Sequence, residues 1–125
     1  MTFVNSNQTY TAQYVVTHYN DFLEFSLNSD EISYCVKLRS GTAPISIKIP
    51  SIYLGKPVTT IGTSAFYKCA SLTSIVIPDS VTSIGEWAFW GCTSLTIYAE
   101  ARSKPSGWSS RWNYSNCPVV WGYVG

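Results

Sequence analysis

A stretch of sixteen residues occurs twice in this chain, 23 residues apart. VTTIGTSAFYKCASLT at 58–73 falls on VTSIGEWAFWGCTSLT at 81–96, with ten of the sixteen positions identical. Average residue frequencies would give about one match. A period of 20–29 residues belongs to solenoids, because a unit this short exposes an apolar face that only a neighbouring unit can bury. The repeat therefore predicts stacked coils and excludes most other folds.

Within a unit, Leu72, Ile75 and Ile77 alternate with Ser74 and Val76, which is the period of a strand with one buried face. Pro78 ends that strand, since it has no N–H for the ladder. Val81 and Ile84 lead to Gly85, which reads as a turn. Ala88, Phe89, Cys92 and Leu95 then follow the spacing of one face of a short helix or 3₁₀ turn. The fold class expected is mainly β with short helical or 3₁₀ turns. Its core consists of Phe66, Cys69, Leu72, Ile75, Ile77, Phe89, Cys92 and Leu95.

Stacking places Cys69 beside Cys92. Packed free thiols, a disulfide and half of a metal site are the three readings. Buried cysteine behaves as a small hydrophobe, which favours the first. Parallel Cα–Cβ vectors suit a disulfide poorly. A zinc site needs further ligands, and the chain's one histidine, His18, is remote in sequence. No metal and no cofactor are expected. Cys92→Ser is expected to be worse than Cys92→Ala, because a buried hydroxyl has no assured partner. Cys35 reads as another structural thiol, and Cys117 has no evident partner.

The segment LTSIVIPDSVTSIGEWAFWGCTSL closely resembles the BspA-like leucine-rich repeat, whose units read Leu-x-x-Ile-x-Ile-Pro-x-x-Val-x-x-Ile-Gly-x-x-Ala-Phe-x-x-Cys. ISIKIPSIYLGKPVTTIG at 45–62 looks like the start of such an array. Ile47, Ile49 and Pro50 match Ile75, Ile77 and Pro78, with five extra residues before Val58. The last strand, LTIYAEA, lacks one residue between its leucine and first isoleucine relative to LTSIVIP. The resemblance implies a right-handed solenoid used for binding, commonly in bacterial surface or adhesion proteins, and no catalytic residues. One domain is expected: an N-terminal β cap over 1–44, repeats over 45–101 and a C-terminal cap over 102–125.

The two ends carry no copy of the repeat. FLEFSL and ISYCVKL alternate around the polar NSDE, a hairpin over 22–38, with an earlier strand within 8–19. Phe25 and Leu27 share a face with Tyr34 and Val36 or lie opposite them, depending on register. The C-terminal segment is broken by Pro105, Gly107 and Pro118 and carries Trp108, Trp112 and Trp121. These tryptophans read either as a cover for the last coil or as a platform on which sugar rings stack.

Composition narrows the functions. The chain of 125 residues has 46% hydrophobic and only 12% charged residues, with a net charge of +1. Nucleic acid as a partner is excluded by the lack of a clustered basic surface. No apolar run reaches the ~18 residues of a membrane span. His18, Asp21 and Glu24 invite a hydrolase reading, but no nucleophile motif accompanies them, so no enzyme activity is expected. The opening stretch lacks the pattern of a signal peptide, so a chain complete as it stands would be cytoplasmic. The resemblance implies a secreted or surface location instead. The outward positions of the strands, Ser46, Lys48, Ser74, Val76, Thr96, Tyr98 and Glu100, form the candidate binding face. A protein partner fits this surface best, with a glycan on the tryptophans as the alternative. The molecule is expected to be a monomer or a small homo-oligomer.

Overall fold

The computed structural model describes residues 22–39 and 44–125, so His18, Asp21 and the strand expected within 8–19 lie outside the described residues. Nine strands are present among these: β1 Leu23–Leu27, β2 Tyr34–Leu38, β3 Ser46–Lys48, β4 Ile52–Tyr53, β5 Lys56–Ile61, β6 Ser74–Ile77, β7 Ser83–Ile84, β8 Thr96–Ala99 and β9 Val119–Trp121. They form two sheets. One runs β3-β6-β8-β9 and is parallel throughout. The other runs β1-β2-β5, with β7 and β4 both pairing β5. Each coil crosses the core once in each sheet and returns through a layer of turns. The alternation read from the sequence holds: Ile47, Ile75, Ile77, Ile97 and Ala99 are buried, and Ser74, Val76, Thr96 and Tyr98 between them are partly exposed.

The segments read as a short helix or 3₁₀ turn hold no helical run among the described residues, only single turns with the 3₁₀ bonding pattern. Turns occupy Thr63–Lys68 and Glu86–Gly91 instead. The hydrogen bonds give the reason. The amides of Ala65, Tyr67 and Cys69 close turns on carbonyls three residues back, at 3.2–3.3 Å. The intervening amides of Ser64, Phe66 and Lys68 donate to Glu86, Ala88 and Trp90 of the next coil, at 2.6–3.1 Å. A helix needs every amide for its own segment. Here every second one stitches coil to coil. Left-handed residues, Ser64 (φ 55), Lys68 (φ 58), Trp87 (φ 64) and Gly91 (φ 82), reset the chain direction within each segment.

β1 and β2 form the expected antiparallel hairpin, with Phe25 opposite Val36 and Leu27 opposite Tyr34, which places all four on one face. β2 then pairs in parallel with β5, so the hairpin extends the second sheet. Its loop is held by Asn28, whose Nδ2 donates to Ser33 Oγ at 2.8 Å and Thr59 Oγ1 at 3.1 Å. The five extra residues before Val58 are a second hairpin, β4–β5. Its face carries Tyr53, stacked on Phe25 at 3.8 Å and edge-on to Tyr34.

The tip of β4–β5 has positive φ at both central residues, Leu54 (φ 50) and Gly55 (φ 81), as a type I′ turn requires. Leucine is poorly suited to that conformation and Asn-Gly is the favoured pair. Leu54 is 74% exposed, so it is not held there by burial. Leu54→Asn should raise stability by roughly 0.5–1 kcal/mol in a denaturant titration.

The C-terminal segment continues the solenoid, contrary to the reading that the repeat ends before it. Trp108 bridges Ile84 in parallel, and β9 adds to β8 with Trp121 beside Ala99. Trp112 meets Phe89 edge to face at 6.1 Å, extending the Phe66–Phe89 stack. Each tryptophan thus prolongs a different core ladder. The coil was hidden in the sequence because its spacing wanders: 24 residues from Ile84 to Trp108, but 22 from Ala99 to Trp121.

Candidate functional site

The all-parallel sheet brings the predicted face together. Ser46, Ser74 and Thr96 lie side by side in one row, and Lys48, Val76 and Tyr98 in the next. Neighbouring strands in a sheet lie ~4.8 Å apart, so each row is a short ladder of side chains. The second row runs on to Val120, opposite Tyr98 and 43% exposed, which sequence reasoning missed because β9 has no repeat motif. Glu100 sits at the rim, where its carboxylate accepts the Asp79 N–H at 2.9 Å. Tyr98 lies 5.0 Å from Tyr123, another unforeseen member. Beside them is an open depression of about 720 Å³ lined by Asp79, Glu100, Arg102, Trp121 and Tyr123. The face therefore offers hydroxyls, one lysine, a tyrosine pair and a carboxylate. These groups suit recognition by hydrogen bonds and ring contacts.

The alternative platform does not survive as placed. Trp108 is 2% exposed, with its indole N–H donating to the Val81 carbonyl at 3.1 Å, and Trp112 is 6% exposed. Trp121 is half-buried, tilted 5.7 Å from Trp108 and 6.0 Å from Trp112. A pyranose cannot stack on the Trp108 or Trp112 ring, which packing already covers. Trp108 and Trp112 went into the core and Trp121 packs against it half-buried, because the three occupy ladder positions that Ile84, Phe89 and Ala99 hold one coil earlier.

Cys69 and Cys92 are both buried free thiols, and the ladder has a third rung that the sequence did not reveal, Cys117. The Cys92 S–H donates to the Phe66 carbonyl at 3.0 Å and the Cys117 S–H to the Cys92 carbonyl at 3.4 Å. Among the described residues no group of three or more His, Cys, Asp or Glu is arranged to hold a metal. The Cys92 thiol is pushed up by its hydrogen bond with Cys69 and by burial. Burial also raises Cys117 and Cys35.

A thiol with a raised folded-state pKa stays protonated after its unfolded counterpart, near 9.0, has ionised. The unfolded chain then binds fewer protons, so stability holds below pH 9 and falls above it. Cys117→Ser should lessen that alkaline loss in melting curves taken from pH 7 to 10.5, whereas in the Cys69–Cys92 pair one hydrogen bond raises Cys92 and lowers Cys69, with opposing effects. The Phe66 carbonyl also corrects the expected order of the Cys92 variants. Serine keeps a donor for that carbonyl and should cost about 1 kcal/mol, whereas alanine leaves a void and should cost about 1–2 kcal/mol. Neither reductant nor chelator should move the melting temperature.

Short parallel strands joined by tight turns, stacked in about four turns around shared Ile, Phe and Cys ladders, define a leucine-rich-repeat β-solenoid. Residues 43–103 match the family model described as BspA type leucine rich repeat region (6 copies). This repeat region belongs to the BspA-type leucine-rich-repeat family.

Three solved structures are similar. A leucine-rich-repeat protein of T. pallidum is 33% identical over 62% of this chain and 41% of its own, with a TM-score of 0.55. A leucine-rich cell surface protein of Faecalibacterium prausnitzii is 28% identical over 79% of this chain and 28% of its own, with a TM-score of 0.59. A leucine-rich-repeat protein of Bacteroides capillosus is 23% identical over 78% of this chain and 91% of its own, with a TM-score of 0.54, a likeness of fold alone. The chain spans less than half the length of the first two. No curated protein matches it at a significant level. Proteins of this family are generally non-catalytic.

Proposed function

We propose that the chain is a non-catalytic binding module that recognises a protein partner, adhesin-like or inhibitor-like, through its all-parallel sheet. The observation that carries this reading is the in-register second row, Lys48, Val76, Tyr98 and Val120, which four successive strands hold toward solvent. A rigid row of mixed apolar and polar side chains is how repeat proteins read partners, because the coil spacing sets the distance between contacts. The hairpin β1–β2 and the tryptophan-bearing last coil serve this function as covers for the two ends of the core. The F. prausnitzii relative is described as a cell surface protein, which supports a role in contact with other proteins outside the cell.

A combined Lys48→Glu, Ser74→Arg and Tyr98→Ser variant should lose most of the partner recovered with the wild-type chain in a pull-down from the native cell. Its melting temperature should stay within a few degrees, since none of the three side chains is in the core. Equal recovery by the two chains would count against the sheet face.

A further inference from the structure

A second surface lies in the turn layer, where the repeat places residues outward between its buried Phe and Cys positions. Tyr67 and Trp90, equivalent residues of adjacent coils, stack at 5.1 Å and 19°. The Lys68 ammonium stands 5.4 Å from one ring centroid and 5.6 Å from the other. One coil further on, Trp87 meets Tyr114 at 4.8 Å and 70°, with the Arg111 guanidinium 5.9 Å over the indole. Tyr67 and Tyr114 are 47% and 59% exposed, and both indoles are half-buried.

This arrangement is built rather than incidental. Gly91 occupies the position equivalent to Lys68, and a Cβ there would come within 3.0–3.1 Å of the Lys68 stem. Its absence lets that stem lie across the coil and carry the charge over Trp90. The Glu86 carboxylate accepts the Trp87 indole N–H at 2.7 Å, which helps fix that ring.

We propose that these two aromatic–cation pairs form a binding site for an acidic glycan, a saccharide chain bearing carboxylates or sulfates. The electron-rich faces of the rings match the C–H faces of pyranoses, and the fixed cations match a carboxylate or sulfate on the sugar. The exposed Ser115 hydroxyl, which accepts the Gly91 N–H at 2.8 Å, keeps its own proton to offer a sugar oxygen. A single-stranded nucleic acid also stacks on aromatic rings, but its phosphates need a charged groove along the backbone. Lys68 and Arg111 are two separate cations in a chain of net charge +1, not such a groove.

Titrations of indole fluorescence and calorimetry with four probes test the site: hexagalacturonate, a heparin hexasaccharide, neutral maltohexaose and an oligo-dT of similar length. One or both acidic oligosaccharides should bind more tightly than maltohexaose, and the preferred one tells carboxylate from sulfate. Tyr67→Ala and Tyr114→Ala remove exposed rings and so leave the fold intact. Each should weaken binding about tenfold, the loss of ~1.4 kcal/mol. Lys68→Gln with Arg111→Gln should abolish the preference for acidic over neutral chains together with its salt dependence. The variant of the sheet face described above should bind these probes unchanged. Absence of binding by either acidic probe, binding indifferent to loss of the rings, or oligo-dT binding as tightly as the glycans would each overturn the proposal.

Discussion

Trp108→Ala should be among the most destabilising single substitutions in the chain, at about 3–5 kcal/mol. The side chain is 2% exposed, lies 4.7 Å from the Trp112 ring and 5.7 Å from that of Trp121, and donates to the Val81 carbonyl of the preceding coil. Its removal opens the largest void available at a single fully buried position and takes that donor away as well. Domains of this size have only ~5–15 kcal/mol in hand, so the loss should appear as a fall of roughly 10–20 °C in Tm. Trp108→Phe should keep most of the packing and lose the bond, at about 1–2 kcal/mol. Wild-type melting of Trp108→Ala would show that the last coil is not packed on the one before it.

Gly85→Ala should cost about 2–3 kcal/mol, while Gly62→Ala at the same position of the preceding repeat should be nearly neutral. A Cβ on Gly85 would lie 2.6 Å from the Thr63 amide nitrogen and 2.7 Å from its Cα. Backbone cannot move aside as a side chain can, so the coils would have to part, at the upper end of the cost of overpacking. A Cβ on Gly62 would meet only the Cys35 sulfur, at 3.3 Å. Neither glycine has a positive φ. Both are needed, or not, according to what lies beneath them. A pair of melting curves separates the two, and equal effects would show that local backbone freedom decides instead.

The glycine pair shows where legibility stops. Both residues sit in the same Ile-Gly context of the repeat, where the motif suggested a turn at Gly85. One rests on a full coil and the other on β2, a difference that no local pattern contains. Cys117 is similar. It completes the thiol ladder, yet it stands 25 residues after Cys92, and the residues around it share nothing with the repeat. By contrast, the rows Ser46–Ser74–Thr96 and Lys48–Val76–Tyr98 were readable, because the alternation of a strand and the repeat register together fix which side chains align. Tyr67 and Trp90 were visible as equivalent positions too. Their pairing with Lys68 depended on the empty space above Gly91.

The sequence by itself determined the repeat, the inward faces of β3, β6 and β8, and the stacking of Phe66 on Phe89 and of Cys69 beside Cys92. Those features follow from periodicity, which acts within one unit and is copied to the next. Only the tertiary structure decided that the segments read as a short helix or 3₁₀ turn are single turns stitched to the next coil, that Trp108 and Trp112 lie in the core with Trp121 packed against it, and that a second aromatic surface remains outside it. Each of these depends on which groups the neighbouring coil supplies. The amides of Ser64, Phe66 and Lys68 find better-placed carbonyls across the gap between coils than within their own segment, and that preference exists only once the coils have stacked.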